Sequence, residues 1–123
     1  MPMNISTKIP HTDTLPPQAR ETVEERLAPV GRMLGTDEHV ALMELDLSSA
    51  PAEGRSATPV KLVANLSYGS TVLHAEAVKP TPEAAADRVR RSLEHEIRKV
   101  RGKEHNVWRR GAGRIKDMLR FGR

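Results

Sequence analysis

The stretch PVKLVANLSYGSTVLHAEAVK, residues 59–79, decides the fold because it holds two strand-like runs joined by a tight connection. The runs meet at Tyr68-Gly69-Ser70, and this arrangement predicts a β-hairpin. Another strand-like run, HVALMELDLSS, precedes them. The segment APAEGRSAT separates this run from the hairpin. It is rich in Pro, Gly, Ser and other small residues, so we expect an exposed loop there. Together these runs predict three consecutive antiparallel strands.

The N-terminal part of the chain predicts a further strand and a first helix. In MPMNISTKIP, residues suited to a buried face alternate with polar ones, the period of a half-buried strand. From about Leu15, with Pro16 and Pro17 suited to a first helical turn, apolar residues recur at helical spacing. That stripe consists of Ala19, Val23, Leu27, Val30 and Leu34. We expect a break before Pro29 and a short further turn closed by Gly35.

The segment after the hairpin predicts a second helix. Thr81 is suited to cap it, Pro82 to fill its first position and Glu83 to face the positive end of the helix dipole. Its apolar stripe consists of Ala86, Val89, Leu93, Ile97 and Val100. Gly102 is a natural stop, so we expect the helix to end there.

The order strand, helix, three strands, helix predicts an α+β domain. We expect a four-stranded sheet with both helices packed on one face, an arrangement like that of double-stranded-RNA-binding domains. The 123 residues are enough for one hydrophobic core and not comfortably for two. We place the domain at residues 1–103 and interpret residues 104–123 as a basic C-terminal tail that is flexible when free.

Charge is unevenly distributed along the chain. Residues 1–87 hold seven Lys/Arg and twelve Asp/Glu, a net charge of −5, whereas residues 88–123 hold thirteen Lys/Arg and four Asp/Glu, a net charge of +9. A cationic end on a mildly acidic body favours a polyanionic partner, either nucleic acid or an anionic membrane.

The second helix concentrates this positive charge. At about 100° per residue, five side chains fall within an arc of roughly 100° opposite the apolar stripe. They are Arg88, Arg91, His95, Arg98 and Lys99. Many such faces are simply solvated, and Glu94 offers Arg98 an ordinary ion pair one turn away. Because adjacent cations repel one another unless an anion relieves them, we favour a phosphate-binding surface over a solvated face.

The chain has one Trp, one Tyr and one Phe, which is too few for a base-stacking surface. The basic helix has no Asn or Gln with which to read a base code in DNA. Structured RNA recognised by its shape and backbone therefore fits best. A membrane-surface tail is a weaker alternative because its glycines disfavour an amphipathic helix.

Enzymatic chemistry has little support in the sequence. The chain lacks Cys, which removes disulfides and thiolate metal sites, and its five His residues show no ligand spacing. No nucleophile elbow or phosphate-binding P-loop occurs. We expect no catalytic residues, no metal and no cofactor. The N-terminus is not typical of a secretory signal, and no apolar run reaches the length of a membrane span, so we expect a cytoplasmic protein.

Four segments carry a resemblance to the ribosome hibernation promoting factor family, also called ribosome-associated inhibitor A or sigma-54 modulation proteins. They are MNISTK, LPPQARETVEERLAPVGR, VLHAEA and AAADRVRRSLEHEIRKVRGK. The resemblance covers residues 3–103 and consists of apolar and basic positions in a fixed order. It implies a non-enzymatic factor that docks in the mRNA and tRNA channel of the small ribosomal subunit, near the A and P sites. There it would block translation by steric occlusion during stress or stationary phase.

The implied partners are the small subunit and the 70S ribosome, through 16S ribosomal RNA and ribosomal proteins. We expect no membrane or small-molecule partner and a protein that is itself monomeric. The resemblance carries over as RNA contacts Lys8, Arg20, Arg26, Arg32, Arg88, Arg91, Arg98, Lys99, Arg101 and Lys103. Charge alone adds Arg109, Arg110 and Arg114, and His95 adds a hydrogen-bond donor on the same helix face. Two other hypotheses stay open: an RNA-binding protein acting off the mature ribosome, as in subunit assembly, and a regulator that binds an acidic protein.

Overall fold

A computed structural model gives the fold for residues 3–10, 15–50 and 59–110, the last eight of these as backbone only. The elements follow the predicted order. They are β1 (Asn4–Lys8), α1 (Ala19–Leu27), a 3₁₀ segment (Ala28–Val40), β2 (Leu42–Ser49), β3 (Val60–Tyr68), β4 (Thr71–Lys79) and α2 (Pro82–Arg110).

The four strands form one mixed sheet in the order β1-β2-β3-β4. β1 runs parallel to β2, and the other two pairings are antiparallel, which confirms the predicted meander of three strands. Tyr68 pairs with Thr71 across the predicted hairpin, so its loop has two residues. Gly69 has a positive φ of 58° and Ser70 does not, as expected for a type II′ turn. The predicted loop at residues 51–58 lies outside the described residues.

The first helix is shorter than its apolar stripe because of its prolines. It begins at Ala19 rather than near Leu15, and the residues before it form a turn in which the Ala19 N–H donates to the Pro16 carbonyl at 3.0 Å. Pro16 and Pro17 each disfavour a helical conformation at the residue before them, so the helix does not start at Leu15 or Pro16. The predicted break before Pro29 is confirmed, since α1 ends at Leu27.

The 3₁₀ segment continues the apolar stripe beyond this break. Gly35 interrupts it with φ 60° and ψ −125°, a conformation that favours glycine. The chain forms a further turn after Gly35 before β2 begins. All five residues of the predicted stripe are buried, namely Ala19, Val23, Leu27, Val30 and Leu34.

The hydrophobic core lies between the helices and one face of the sheet, as predicted. Alternate residues of β2, β3 and β4 are buried there, including Met43, Leu62 and Leu73. From α2 the core receives chiefly Val89, Leu93 and Ile97, which are fully buried. Both helices therefore cover one face, and no described element covers the other, which we call the open face of the sheet.

The start of α2 is as predicted, but its end is not. The Ala84 N–H donates to Thr81 Oγ1 at 3.2 Å, so Thr81 caps the helix and Pro82 is its first residue. The predicted stop at Gly102 is wrong, because the helix continues to Arg110. Gly102 does not adopt the positive φ that ends a helix, and the good helix formers around it offset its cost of about 1 kcal/mol.

Candidate nucleic-acid interface

The outer face of α2 presents a continuous row of cations to solvent. Val89, Leu93 and Ile97 turn toward the sheet, so side chains about half a turn away point outward. Arg88, Arg91, His95, Arg98 and Lys99 are all exposed, and we call this set the basic face of α2. Its exposure follows from the burial of the apolar stripe opposite.

Most of this charge is not neutralised within the part of the chain that the structure describes. Glu94 pairs with Arg90, with Nη1 to Oε2 at 3.3 Å, and not with Arg98 as the sequence suggested. Arg90 lies one turn before Glu94 and is itself partly shielded, which favours this partner. Lys99 Nζ lies 3.7 Å from Glu96 Oε1. No ion pair among the described residues involves Arg88, Arg91 or Arg98.

Arg26 connects the two helices. Its Nη1 atom donates to both carboxylate oxygens of Asp87, at 2.9 and 3.1 Å. This brings a cation of α1 to the turn of α2 that begins the basic face. The contact partly neutralises Arg26, but a guanidinium has five N–H donors, so others remain for an anion.

Arg20 has a structural contact that the sequence did not reveal. Its Nη1 donates to the main-chain carbonyl of Thr7 on β1. The Thr7 hydroxyl in turn donates to Glu24 Oε2 at 2.5 Å. Arg20 and Glu24 therefore hold β1 against α1. Arg20 is exposed, but one of its N–H groups is already used in this contact within the protein.

The remaining predicted contacts are spread over the molecule. Lys8 is exposed at the end of β1 and opposite Asp46, on the open face of the sheet and away from α2. Arg32 is exposed in the 3₁₀ segment. Arg101 is exposed beside that segment, with Nη2 3.5 Å from the position that a Cβ would take on Gly35. The structure thus places Arg26 and Arg101 in the helical layer with the basic face of α2. Lys8 lies on the opposite side of the sheet.

The last predicted contacts fall beyond the described side chains. The backbone of α2 includes three of them, Lys103, Arg109 and Arg110. Arg114 lies outside the described residues. The division into a domain at 1–103 and a tail at 104–123 stays a prediction.

The open face of the sheet has a different charge. Glu44, Asp46 and Glu76 project from it, together with Lys8, Lys61 and the imidazole of His74. His74 Nδ1 lies 2.8 Å from Asn65 Oδ1, and its Nε2 lies 3.5 Å from Glu76 Oε2. The excess positive charge is therefore confined to the outer face of α2, whereas the open face of the sheet carries charges of both signs with a slight excess of carboxylates.

Neither a metal site nor a membrane-spanning helix is present in the described ranges. No group of three or more His, Cys, Asp or Glu residues there is placed to hold a metal ion. No helix there is both long and apolar enough to cross a membrane.

The fold and the charged helix define an α+β module with a cationic helical surface. The sequence profile of the family described as sigma 54 modulation protein / S30EA ribosomal protein matches residues 5–105. The chain belongs to this family, as the resemblance predicted. Membership indicates a ribosome-associated modulation factor, which is a non-enzymatic kind of protein.

Among solved structures, the N-terminal domain of Thermus thermophilus Protein Y has the same fold. The two chains are 22% identical, with a TM-score of 0.60 over 79% of this chain and 98% of that one. This likeness confirms the α+β architecture. No curated protein sequence matches the chain.

Proposed function

We propose that the protein binds ribosomal RNA of the small subunit in the mRNA and tRNA channel, at the A and P sites, and so blocks translation. The observation that carries this proposal is the basic face of α2, whose Arg88, Arg91 and Arg98 have no anionic partner among the described residues. Membership of the family is the reason for proposing the ribosome as the source of this RNA.

The charge distribution favours RNA phosphate as the ligand of this face. Exposed arginines suit phosphate oxygens because their planar forks donate two hydrogen bonds. Each phosphate contact releases condensed counterions, so a surface with several of them binds strongly at low salt and weakly at high salt. Arg26 and Arg101 extend the same surface toward α1 and the 3₁₀ segment.

The open face of the sheet favours one orientation of the bound protein. Glu44, Asp46 and Glu76 outnumber Lys8 and Lys61 on that face, so the basic face of α2 turns toward the RNA, and Lys8 contributes least among the predicted contacts. Inhibition in this proposal is steric. A rigid two-layer body held by phosphate contacts fills space that mRNA and tRNA otherwise occupy, and no chemical step is involved.

We further propose that the protein acts in the cytoplasm and that its occupancy of ribosomes rises under stress and in stationary phase. The fraction of the protein that migrates with ribosomes in gradients from growing and stationary cells tests this. Equal fractions in both conditions would argue against a stress-linked role.

Binding is tested by co-sedimentation of the purified protein with 30S, 50S and 70S particles over a series of salt concentrations. We expect it to follow 30S and 70S but not 50S, with affinity falling steeply as salt rises. Combined Arg88→Ala, Arg91→Ala, Arg98→Ala and Lys99→Ala substitutions should abolish it. Alanine is a strong helix former, so α2 stays folded.

A matched control separates the location of charge from its amount. Arg91→Ala removes one cation from the basic face of α2, and Lys61→Ala removes one from the open face of the sheet. We expect the first variant to bind more weakly and the second to bind as the unmodified protein does. Equal losses would place the interface elsewhere. A complex that survives nuclease treatment would point to an acidic protein partner, and migration with precursor subunits would point to assembly.

A further inference from the structure

The outer edge of β4 is unpaired in the described part of the chain, because β4 is the last strand of the sheet. Tyr68 and Thr71 close a two-residue hairpin, so they form a hydrogen-bonded pair, and such pairs alternate along the ladder. The main-chain N–H and C=O groups of every second residue therefore point away from β3. These residues are Val72, His74, Glu76 and Val78.

Apart from the charges of Glu76 and Lys79, this edge lacks the devices that usually keep strand edges from pairing. β4 is nine residues long, pairs one-to-one with β3 without a bulge and contains no proline. Val72 and Val78 are 46% and 52% exposed, which is unusual for large apolar residues in this molecule. The opposite edge, β1, is shorter, and Arg20 occupies its Thr7 carbonyl.

We propose that β4 is a homodimerisation edge, which pairs antiparallel with β4 of a second copy about a twofold axis at Ala75. In this register the two apolar positions meet, with Val72 opposite Val78 of the partner subunit. His74 then lies opposite Glu76 of the partner subunit. The symmetry produces each pair twice, so the outward side-chain sequence Val, His, Glu, Val is complementary to itself.

Neighbouring registers are less favourable. A slip of two residues one way places Glu76 opposite Glu76 of the partner subunit, and a slip the other way places His74 opposite His74 of the partner subunit. Both slipped registers lose the attraction between the imidazole and the carboxylate. In the first of them, the two facing carboxylates also repel each other. The symmetric register also uses the whole strand, because it ends at the Gly69-Ser70 turn on one side and at Pro80, which has no N–H, on the other.

In the single chain, His74 Nδ1 contacts Asn65 Oδ1 at 2.8 Å, which holds the imidazole on the open face, and its Nε2 lies 3.5 Å from Glu76 Oε2 of the same strand. Pairing exchanges this contact for one with Glu76 of the partner subunit, so the exposed valines and the main-chain hydrogen bonds supply the net gain. The basic face of α2 contributes none of the four outward residues, so the proposal does not rest on RNA binding. Its small area implies a weak dimer, with dissociation in the micromolar to submillimolar range, so the expected monomer prevails in dilute solution.

Sedimentation equilibrium of the full chain, from micromolar concentrations to about 1 mM, tests the proposal. His74→Glu alone places glutamates opposite one another and should weaken the dimer about tenfold. Glu76→His alone should also weaken it, because it places imidazoles opposite one another. The double variant exchanges the two residues and restores unlike pairs, so we expect its dissociation constant to return close to that of the unmodified protein.

Val72→Lys adds a test that does not depend on the His74 and Glu76 pair, because two lysines then replace the apolar contacts at the ends of the interface. We expect this variant to remain monomeric while its circular dichroism spectrum is unchanged. An unmodified protein that stays monomeric at about 1 mM would overturn the proposal. So would a double variant that dimerises no better than His74→Glu, since dimerisation would then use another surface.

Discussion

Arg26 of α1 and Asp87 of α2 are 61 residues apart in the chain, and their side chains meet with Nη1 to Oδ2 at 2.9 Å. Both side chains remain more than one third exposed, so solvent screens the attraction. The contact joins the two helices at the beginning of the basic face. Asp87 also neutralises part of the charge that Arg26 could otherwise offer to an anion.

Asp87→Asn should strengthen RNA binding while weakening the fold only slightly. The substitution keeps the shape of the side chain but removes the charge that neutralises Arg26. We expect affinity for 30S subunits to rise about two- to fivefold at low salt and stability to fall by less than about 1 kcal/mol. Co-sedimentation and urea denaturation measure the two effects. An affinity that falls in parallel with stability would show that the ion pair serves only to hold the helices.

Loss of cations from the basic face should change the salt dependence as well as the affinity. Each lost phosphate contact reduces the slope of log affinity against log salt by up to about 0.9. Arg91→Ala with Arg98→Ala should therefore lower the slope by about 2, whereas Lys61→Ala, on the open face of the sheet, should leave it unchanged. Slopes measured over the same salt range for both variants make this comparison. Weaker binding with an unaltered slope would mean that these arginines do not contact phosphate.

Inhibition of translation should follow occupancy of the ribosome. In a cell-free translation reaction, the unmodified protein should reduce product in proportion to the fraction of 30S subunits bound. The variant with four alanines in the basic face should have little effect at the same concentration. Full binding without inhibition would separate the RNA contact from the steric mechanism.

The hydroxyl of Thr7 is a buried polar group with one defined acceptor, Glu24. Thr7→Val keeps the shape of the side chain and removes the hydrogen bond, so we expect a loss of about 1–2 kcal/mol in the free energy of unfolding. Ser6→Ala, on the exposed face of the same strand, is the control and should cost less than about 0.5 kcal/mol. Denaturant titration of both proteins tests this, and equal losses would contradict a specific role for the hydroxyl.

Two glycines should respond in opposite ways to alanine. Gly35 has a positive φ, so Gly35→Ala introduces strain and should destabilise the protein by about 1 kcal/mol or more. Gly102 lies inside α2 with nothing within 4 Å of an added Cβ, so Gly102→Ala should stabilise the helix by up to about 1 kcal/mol. Thermal unfolding distinguishes the two variants. A destabilised Gly102→Ala variant would mean that α2 does not continue through this position in solution.

The elements that depend on local chemistry were predictable from the sequence. Pro29 breaks the first helix because its ring and missing N–H act within one turn, and Thr81 caps the second because its hydroxyl reaches only its own helix. The hairpin at Gly69 is equally local. The predicted end of α2 at Gly102 was wrong because glycine lowers helix stability without requiring the helix to end. The helix propensities of the surrounding residues decide whether it continues.

Features that depend on tertiary placement were not predictable in this way. The row of cations on α2 followed from helical periodicity, but the contacts of Arg26 with Asp87 and of Arg20 with Thr7 join distant segments. Composition indicates how many charges exist, whereas the packing of α1 on α2 decides which of them are neutralised. The position of β1 beside β2 was likewise not specified by the order of elements alone, although a helix between neighbouring strands makes them parallel.

The position of α2 at the end of the fold has a consequence for synthesis. Leu93 and Ile97 fill the core beneath the sheet, and they are among the last buried residues to be made. A nascent chain that has produced all four strands still lacks the layer that covers β3 and β4. Folding of this domain therefore waits for α2, and the unfinished sheet leaves its apolar face in water until that helix has been made.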